Sequence, residues 1–277
     1  MTADLYCVMG NPVAHSKSPW IHARFAELTG QDVRYERRLI PLDGFARSVA
    51  EFRAEGGRGC NITVPFKFEA SPLATRLSAR AGIAQACNVL MFDGAEVVAD
   101  NTDGIGLVDD ITRNAGVDLA GRDVLLIGAG GASSGVLGPL IEARARRIVV
   151  ANRTRPKAAI LVDRHAGLAV EHGVDLAACG LAEVHDGFDV VVNATASSLS
   201  GAGVPVDAHV LQRGTLACDM MYGPAADGFM RWAREHGAVA RDGLGMLVEQ
   251  AAEAFLLWRG VRPPSAQVLA ELRASLA

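Results

Sequence analysis

Short apolar runs alternate with amphipathic stretches along the whole chain, and this alternation predicts its elements. Leu5–Met9 reads as a strand, followed by a turn at Gly10–Pro12 and a helix over Pro19–Leu28. Val33–Leu39 is predicted as a second strand, Gly44–Glu55 as an amphipathic helix, and Cys60–Val64 as a third strand closed by Pro65. Two further helical stretches come next, with strands near Asn88–Phe92 and Glu96–Ala99. A second series starts at Arg122. Its strands are Val124–Ile127, Ile148–Ala151, a short one near Ala169–Val174, Asp189–Asn193, Thr215–Asp219 and Ala238–Ala240, with helices between most of them. The nearly continuous Val/Ile/Leu content of Val124–Ile127, Ile148–Ala151 and Asp189–Asn193 suits a sheet covered on both faces. "MLVEQAAEAFLLW", Met246–Trp258, is a helix, and another follows Pro263–Pro264. Strands alternating with helices imply an α/β fold with a parallel or mixed open sheet. Two domains are expected: 1–104 plus 242–277, in which the C-terminal helices return to the first series, and 105–241.

Composition narrows the function. The chain has 277 residues, half of them hydrophobic, enough for two cores. A net charge of −4 and a pI near 6.0 give no electrostatic case for nucleic acid. The basic run Arg144–Arg147 suits the end of a helix, where cations oppose the dipole. Cys7, Cys60, Cys87, Cys179 and Cys218 are odd in number and scattered, which fits reduced thiols in a cytoplasmic protein better than disulfides or a zinc site. No metal is expected, since the histidines lack a completing ligand set. "MTADLYCVMG" has no basic, apolar leader pattern. The uncharged stretch Val124–Ile141 is interrupted by glycines and a proline, so it divides into strand, turn and helix rather than spanning a membrane.

That stretch also carries chemistry. In "VLLIGAGGASSG" a strand ends at Ile127, Gly128 permits a tight turn, and Gly130 lets the backbone approach a pyrophosphate at a helix N-terminus. Ser133 stands where the third glycine of the dinucleotide fingerprint falls. The next strand ends in "VVANRTRPK", with Asn152, Arg153, Thr154 and Lys157 where an NAD site would place a carboxylate. Two cations there suit a 2′-phosphate, which favours NADP. The second domain is thus read as a Rossmann-type NADP-binding domain. In "GCNITVPFK", Lys67 lies at a strand end between Phe66 and Phe68. Reduction of a carbonyl by hydride needs a proton on oxygen, and a lysine–carboxylate pair with an aspartate of "DNTDG", Asp100–Gly104, can supply it. In "GNPVAHSKSPWIH", Ser16 and Ser18 can either cap the following helix or bind an anion such as a carboxylate.

Together "GNPVAHSKSP", "GCNITVPFK", "DNTDGIG", "LIGAGGAS", "NRTRPK", "VVNAT", "DMMY" and "DGLGMLVEQAAEAFLLW" resemble the shikimate dehydrogenase family over essentially the whole chain. The resemblance implies NADPH-dependent reduction of 3-dehydroshikimate to shikimate in aromatic amino-acid biosynthesis, a small-molecule substrate, no membrane or nucleic-acid partner, and a monomer or homodimer. It implies that Lys67 and Asp103 form the catalytic pair. Ser16, Ser18 and Tyr222 would bind the substrate carboxylate; Asn61, Thr63, Asn88 and Gln250 would contact its ring hydroxyls. Gly128, Ala129, Gly130, Gly131, Ala132 and Ser133 match the pyrophosphate turn. Asn152, Arg153, Thr154 and Lys157 match the NADP phosphate site, and Thr195, Met220 and Gly243 match positions near the nicotinamide.

The chain departs from the family's usual pattern at Val89 beside Asn88, at Ala196 and Ser198 after "NAT", and in the Gly223–Phe229 loop. These positions leave open a quinate/shikimate or aminoshikimate-type dehydrogenase. A non-catalytic NADP-binding regulator is the reading from another class, and intact Lys67 and Asp103 argue against it.

Overall fold

The structure is a computed structural model that describes residues 3–195 and 203–276. The chain forms two compact units, residues 1–106 with 248–277, and residues 107–247.

The first unit contains β1 (Asp4–Gly10), α1 (Ser18–Thr29), β2 (Val33–Leu39), α2 (Phe45–Ala54), β3 (Gly57–Ile62), the short α3 (Lys67–Ala70), β4 (Arg76–Leu77), α4 (Ala79–Ala84), β5 (Val89–Asp93) and β6 (Glu96–Asp100). Its sheet runs β2-β1-β3-β5-β6-β4. β2, β1 and β3 are parallel, whereas β5 runs antiparallel to both β3 and β6, so the sheet is mixed. Side chains alternate across it. Cys7, Met9, Cys60, Ile62 and Leu90 pack with Phe45, Val49 and Phe52 in one core. Tyr6, from the alternate set, stacks on Trp258, which also meets His22.

α5 (Asp103–Asp109) starts in the first unit and leads into the second, which contains β7 (Asp123–Ile127), α6 (Gly131–Glu142), β8 (Arg147–Asn152), α7 (Arg155–His172), β9 (Asp175–Gly180), β10 (Phe188–Asn193), β11 (Leu211–Asp219), α8 (Asp227–Glu235) and β12 (Val239–Arg241). The chain then enters α9 (Leu244–Arg259) and ends in α10 (Ser265–Leu276). The strand order is β12-β11-β10-β7-β8-β9, with every pair parallel. Numbered from β7, this is the doubly wound order of a dinucleotide-binding sheet, whose switch point lies between β7 and β10. Val124 and Leu126 join one core, and Leu125 and Ile127 join another, as a sheet covered on both faces requires.

Three expectations need correction. The strand expected near Ala169–Val174 is the end of α7; Gly173, at φ 69°, terminates that helix, and β9 follows at Asp175. β9 is an edge strand with no fully buried residue, so its apolar signal is weak. The third strand begins at Gly57 and ends at Ile62, not Val64. Gly57 and Gly59 are strand residues without side chains. A Cβ at Gly57 would stand 2.4 Å from the Phe52 ring, and one at Gly59 would stand 2.6 Å from the Trp258 indole nitrogen. Lys67 is not sandwiched between rings: it opens α3, Phe66 is buried against Phe45, and Phe68 is exposed. The basic run after α6 is used in ion pairs, with Arg146 and Arg147 both on Asp123.

Candidate active site

The C-terminal ends of β1 and β3 and the turn after β6 carry the first unit's polar residues. Val64 leaves the sheet before Pro65, and Phe66 anchors the turn in the core, so Lys67 projects from the first turn of α3. Its backbone carbonyl accepts from Cys87 N at 2.9 Å, which ties α3 to the segment before Asn88. Lys67 Nζ donates to Asp103 Oδ2 at 2.5 Å, with side-chain exposures of only 16% and 7%. Most of the solvent screening that weakens surface pairs is therefore removed.

Asp103 is itself held from the other side. Asn88 Nδ2 donates to Asp103 Oδ1 at 2.9 Å and to Thr102 Oγ1 at 3.1 Å, and it lies 3.3 Å from Gln250 Oε1. Asn88 Oδ1 accepts from Thr102 N at 2.8 Å. Asn101 closes the turn, accepting from Asp103 N at 3.1 Å and donating to Ala86 O at 2.8 Å. Asn88, buried at 2% exposure, thus spends its amide on the protein and fixes the aspartate. Thr102, absent from the residues expected at the site, belongs to this network, and its place in "DNTDG" between Asp100 and Asp103 is the signal for it.

Ser16 and Ser18 do not cap α1. The N-cap position is Lys17, and no side chain caps the helix. The two hydroxyls lie 3.2 Å apart, and Ser16 Oγ accepts from Ser18 N at 3.3 Å. Two hydroxyls at an uncapped helix start suit an anion. Gly10 lets this turn approach β3, because a Cβ there would fall 2.3 Å from Thr63 Cγ2. Thr63 is fixed through its backbone N–H to Met9 O at 2.9 Å.

Asn61 is buried on β3. Its Nδ2 donates to Asn88 O at 3.2 Å, and its Oδ1 accepts from Tyr35 Oη at 2.7 Å. Tyr35 was not singled out in the sequence; its signal was a lone aromatic among arginines in β2. Burial pushes the Tyr35 hydroxyl up from its usual range, so it keeps its proton and remains a donor. Its ring stacks on His22 with centroids 4.2 Å apart. Burial lowers His22 to about 3; the nearby Asn61 amide opposes this without completing a hydrogen bond, and among the described residues neither ring nitrogen has a hydrogen-bond partner.

In the second unit the site is largely backbone. Gly128 ends β7 with φ 113°, and a Cβ there would lie 3.2 Å from Ala194 O at the end of neighbouring β10. Both conditions favour glycine. Ala129 and Gly130 complete the turn, Gly130 is exposed, and Gly131 and Ala132 open the 12-residue α6 with no capping side chain and no acidic residue in the first turn. Ser133 Oγ is buried there without a hydrogen-bond partner among the described residues. These features fit a pyrophosphate. At the end of β8, Asn152 Nδ2 donates to Thr154 O at 2.9 Å, shaping the loop. Arg153 and Lys157 are exposed, and among the described residues neither is paired with a carboxylate, whereas Arg155 pairs with Glu183. This cationic, carboxylate-free loop fits a 2′-phosphate.

Thr195 is fixed at the end of β10, where its hydroxyl donates to Asn193 Oδ1 at 2.7 Å. Asn193 in turn donates to Asp219 Oδ2 at 3.0 Å. Asp219 Oδ1 accepts from Met221 N at 2.8 Å, and Met220 N donates to Asn193 O at 3.0 Å. The buried Asn193–Asp219 pair, missed in the sequence, therefore sets the positions of Thr195 and Met220. Gly243 packs on the same place, where a Cβ would fall 2.4 Å from Met220 O. Tyr222 follows β11 in this unit and is half-buried. Val89 is buried on β5, paired with Asn61 and Asp100. Ala196 and Ser198 lie outside the described residues.

Comparison with known proteins gives matches along nearly all of this chain. Residues 8–90 match the family model described as "Shikimate dehydrogenase substrate binding domain", 110–201 match "Shikimate / quinate 5-dehydrogenase", and 243–273 match "Shikimate 5'-dehydrogenase C-terminal domain". A protein of Acidovorax sp. (strain JS42) named "Shikimate dehydrogenase (NADP(+))" is 67% identical over 275 residues, covering 99% of this chain and 98% of the relative. Among solved structures, an Ael1 enzyme from Pseudomonas putida has a TM-score of 0.90 at 45% identity, with 98% of each chain covered. The shikimate 5-dehydrogenase of Thermus thermophilus, in complex with NADP(H) and shikimate, has a TM-score of 0.85 at 30% identity, covering 99% of this chain and 100% of that one.

Proposed function

The chain belongs to the shikimate dehydrogenase family, and we propose that Lys67 and Asp103 are the acid–base pair with which it interconverts 3-dehydroshikimate and shikimate. It is an NADP-dependent oxidoreductase of the shikimate pathway. Neither the quinate or aminoshikimate specialist nor the non-catalytic regulator is favoured, since relatives alike over the full length carry the shikimate dehydrogenase name.

The observation that carries the reading is the buried Lys67–Asp103 contact with Asn88 on the opposite carboxylate oxygen. Bound NADPH supplies the hydride to the ring carbonyl carbon. The Lys67 ammonium donates a hydrogen bond to the carbonyl oxygen and then the proton that completes the alcohol. Asp103 holds that ammonium in place, and Asn88 keeps the carboxylate from rotating. In the reverse direction Lys67 Nζ receives the hydroxyl proton. Ser16 and Ser18 receive the substrate carboxylate. Asn61, Thr63 and Gln250 address the ring hydroxyls, while Asn88 acts chiefly on Asp103. Gly128–Ser133 hold the pyrophosphate, Arg153 and Lys157 the 2′-phosphate, and Thr195, Met220 and Gly243 shape the nicotinamide end. On this reading residues 1–106 with 248–277 bind the ring acid, and 107–247 bind NADP. Among the described residues no helix is long and apolar enough to cross a membrane. Free thiols and a biosynthetic reaction support a cytoplasmic enzyme.

Absorbance at the nicotinamide band, with shikimate or quinate paired with NADP⁺ or NAD⁺, tests the assignment. Rapid reduction with shikimate and NADP⁺ is expected. Faster turnover of quinate would make Val89 and the Gly223–Phe229 loop marks of a different specialist, and preference for NAD⁺ would remove the phosphate role of Arg153.

A further inference from the structure

β2 is an edge strand whose alternate residues have different roles. Arg34, Glu36 and Arg38 share one face, where Arg38 bridges Glu36 and Glu55 and Arg34 reaches Glu36. Tyr35 and Arg37 share the other. Tyr35 reaches Asn61, as described above. Arg37 reaches the serine turn: its Nε and Nη2 both donate to the Ser16 carbonyl oxygen, at 2.9 and 2.6 Å. The sheet register places Arg37 beside Val8 and Val8 beside Asn61, so Arg37 and Asn61 occupy one row on the same face.

Arg37 differs from its neighbours on β2 in charge balance. Among the described residues no carboxylate pairs with its guanidinium, although Arg34 and Arg38 are both compensated. An uncompensated cation is therefore fixed by two hydrogen bonds on the backbone of the residue whose hydroxyl faces the anion position. Lys17, between the two serines, is also cationic, but no hydrogen bond among the described residues orients its ammonium. A held charge gives a directed potential; a swinging one gives an averaged potential.

We propose that Arg37 is a positioning residue of the carboxylate subsite: it locks the Ser16 turn through the Ser16 carbonyl and lends its unpaired charge to the incoming ring carboxylate. The inference rests on the reading that Ser16 and Ser18 receive that carboxylate. It predicts an effect on binding and encounter rather than on chemistry, because the guanidinium of Arg37 bonds to the Ser16 turn, whereas Lys67 bonds to Asp103.

The experiment compares oxidation of shikimate and of its methyl ester with NADP⁺, over a range of ionic strength, in the wild type, Arg37→Gln, Arg37→Lys and Ser16→Ala. Arg37→Gln is expected to lower kcat/KM for the acid by about 3- to 10-fold, as for an exposed charge contact. The loss should lie in KM, with kcat and the KM for NADP⁺ within about twofold. The ester should be unaffected, Arg37→Lys should recover part of the loss, and the fall of kcat/KM with salt should be shallower in Arg37→Gln. Equal losses for acid and ester would reduce Arg37 to a loop support and overturn the inference, as would an unaltered acid reaction. Ser16→Ala separates the two levels. If it harms acid and ester alike, the carboxylate assignment fails and the inference falls with it; if it is selective for the acid while Arg37→Gln is not, the inference alone fails.

Discussion

In the first unit, the polar groups at the strand ends are side chains that hold other side chains. Lys67, Asp103, Asn88, Thr102 and Gln250 form one buried network, and Asn101 closes the turn beneath it. In the second unit, the corresponding strand ends present backbone at the Gly128–Ser133 turn, with Arg153 and Lys157 extending into solvent. Proton transfer depends on the position of single atoms and tolerates little freedom. Phosphate recognition draws on several N–H groups and a general positive charge, so it accepts mobile donors. The two units should therefore respond differently to substitution.

The largest effect is expected at the acid–base pair. Lys67→Ala should lower kcat by about two to four orders of magnitude with NADPH affinity little changed; steady-state rates and fluorescence titration of NADPH would show this, and near-normal turnover would remove Lys67 from the chemistry. A step down in size, Asn88→Ala leaves Asp103 Oδ1 and Thr102 N without their partner. It should cost about 1–3 kcal/mol of stability, the usual penalty for a stranded buried polar group. Turnover should fall by at least about tenfold as the carboxylate loosens. Denaturant melts alongside kcat would read both, and a stable variant with unaltered kcat would show that the network does not position Asp103. In the second unit the expected change is graded. Arg153→Ala should weaken NADPH by roughly 10-fold or more, the size of a charge-assisted contact, and leave NADH nearly untouched. Equal weakening of both would take the 2′-phosphate away from Arg153.

The smallest effect concerns stability. His22 sits at about 3 in the folded protein, chiefly through burial, against an ordinary value of 6.5. The folded state keeps the ring neutral, whereas the unfolded chain takes up a proton below pH 6.5. The stability this group preserves is thus present above pH 6.5 and is lost as pH falls toward 3. Between about pH 7 and about pH 5.5 the wild type should lose about 1.3 kcal/mol more than His22→Phe. Urea unfolding at the two pH values measures the difference, and identical slopes would mean that the ring is protonated in place.

Legibility in the sequence followed the physics of each element. The parallel strands of the second unit were readable because burial on both faces forces continuous apolar runs. β9 was not, because an edge strand carries a diluted pattern, and its start was masked by the glycine that ends α7. The strand start at Gly57 was not legible either, because Gly57 and Gly59 carry no side chain to show a strand pattern; the neighbouring Phe52 and Trp258 rings explain why glycine stands there.

The sequence by itself determined the α/β order, the glycine turn, the carboxylate-free loop after β8 and the places of Lys67 and the serine pair just after strand ends. Each of these is a local pattern of residue types, and local patterns survive without coordinates. The tertiary structure decided which polar groups hold which. It brought Asn88 to Asp103, Tyr35 to Asn61, Arg37 to Ser16 and Asn193 to Asp219. Those partners lie on different strands and turns, and a hydrogen bond between them exists only once strand register fixes their side chains on one face.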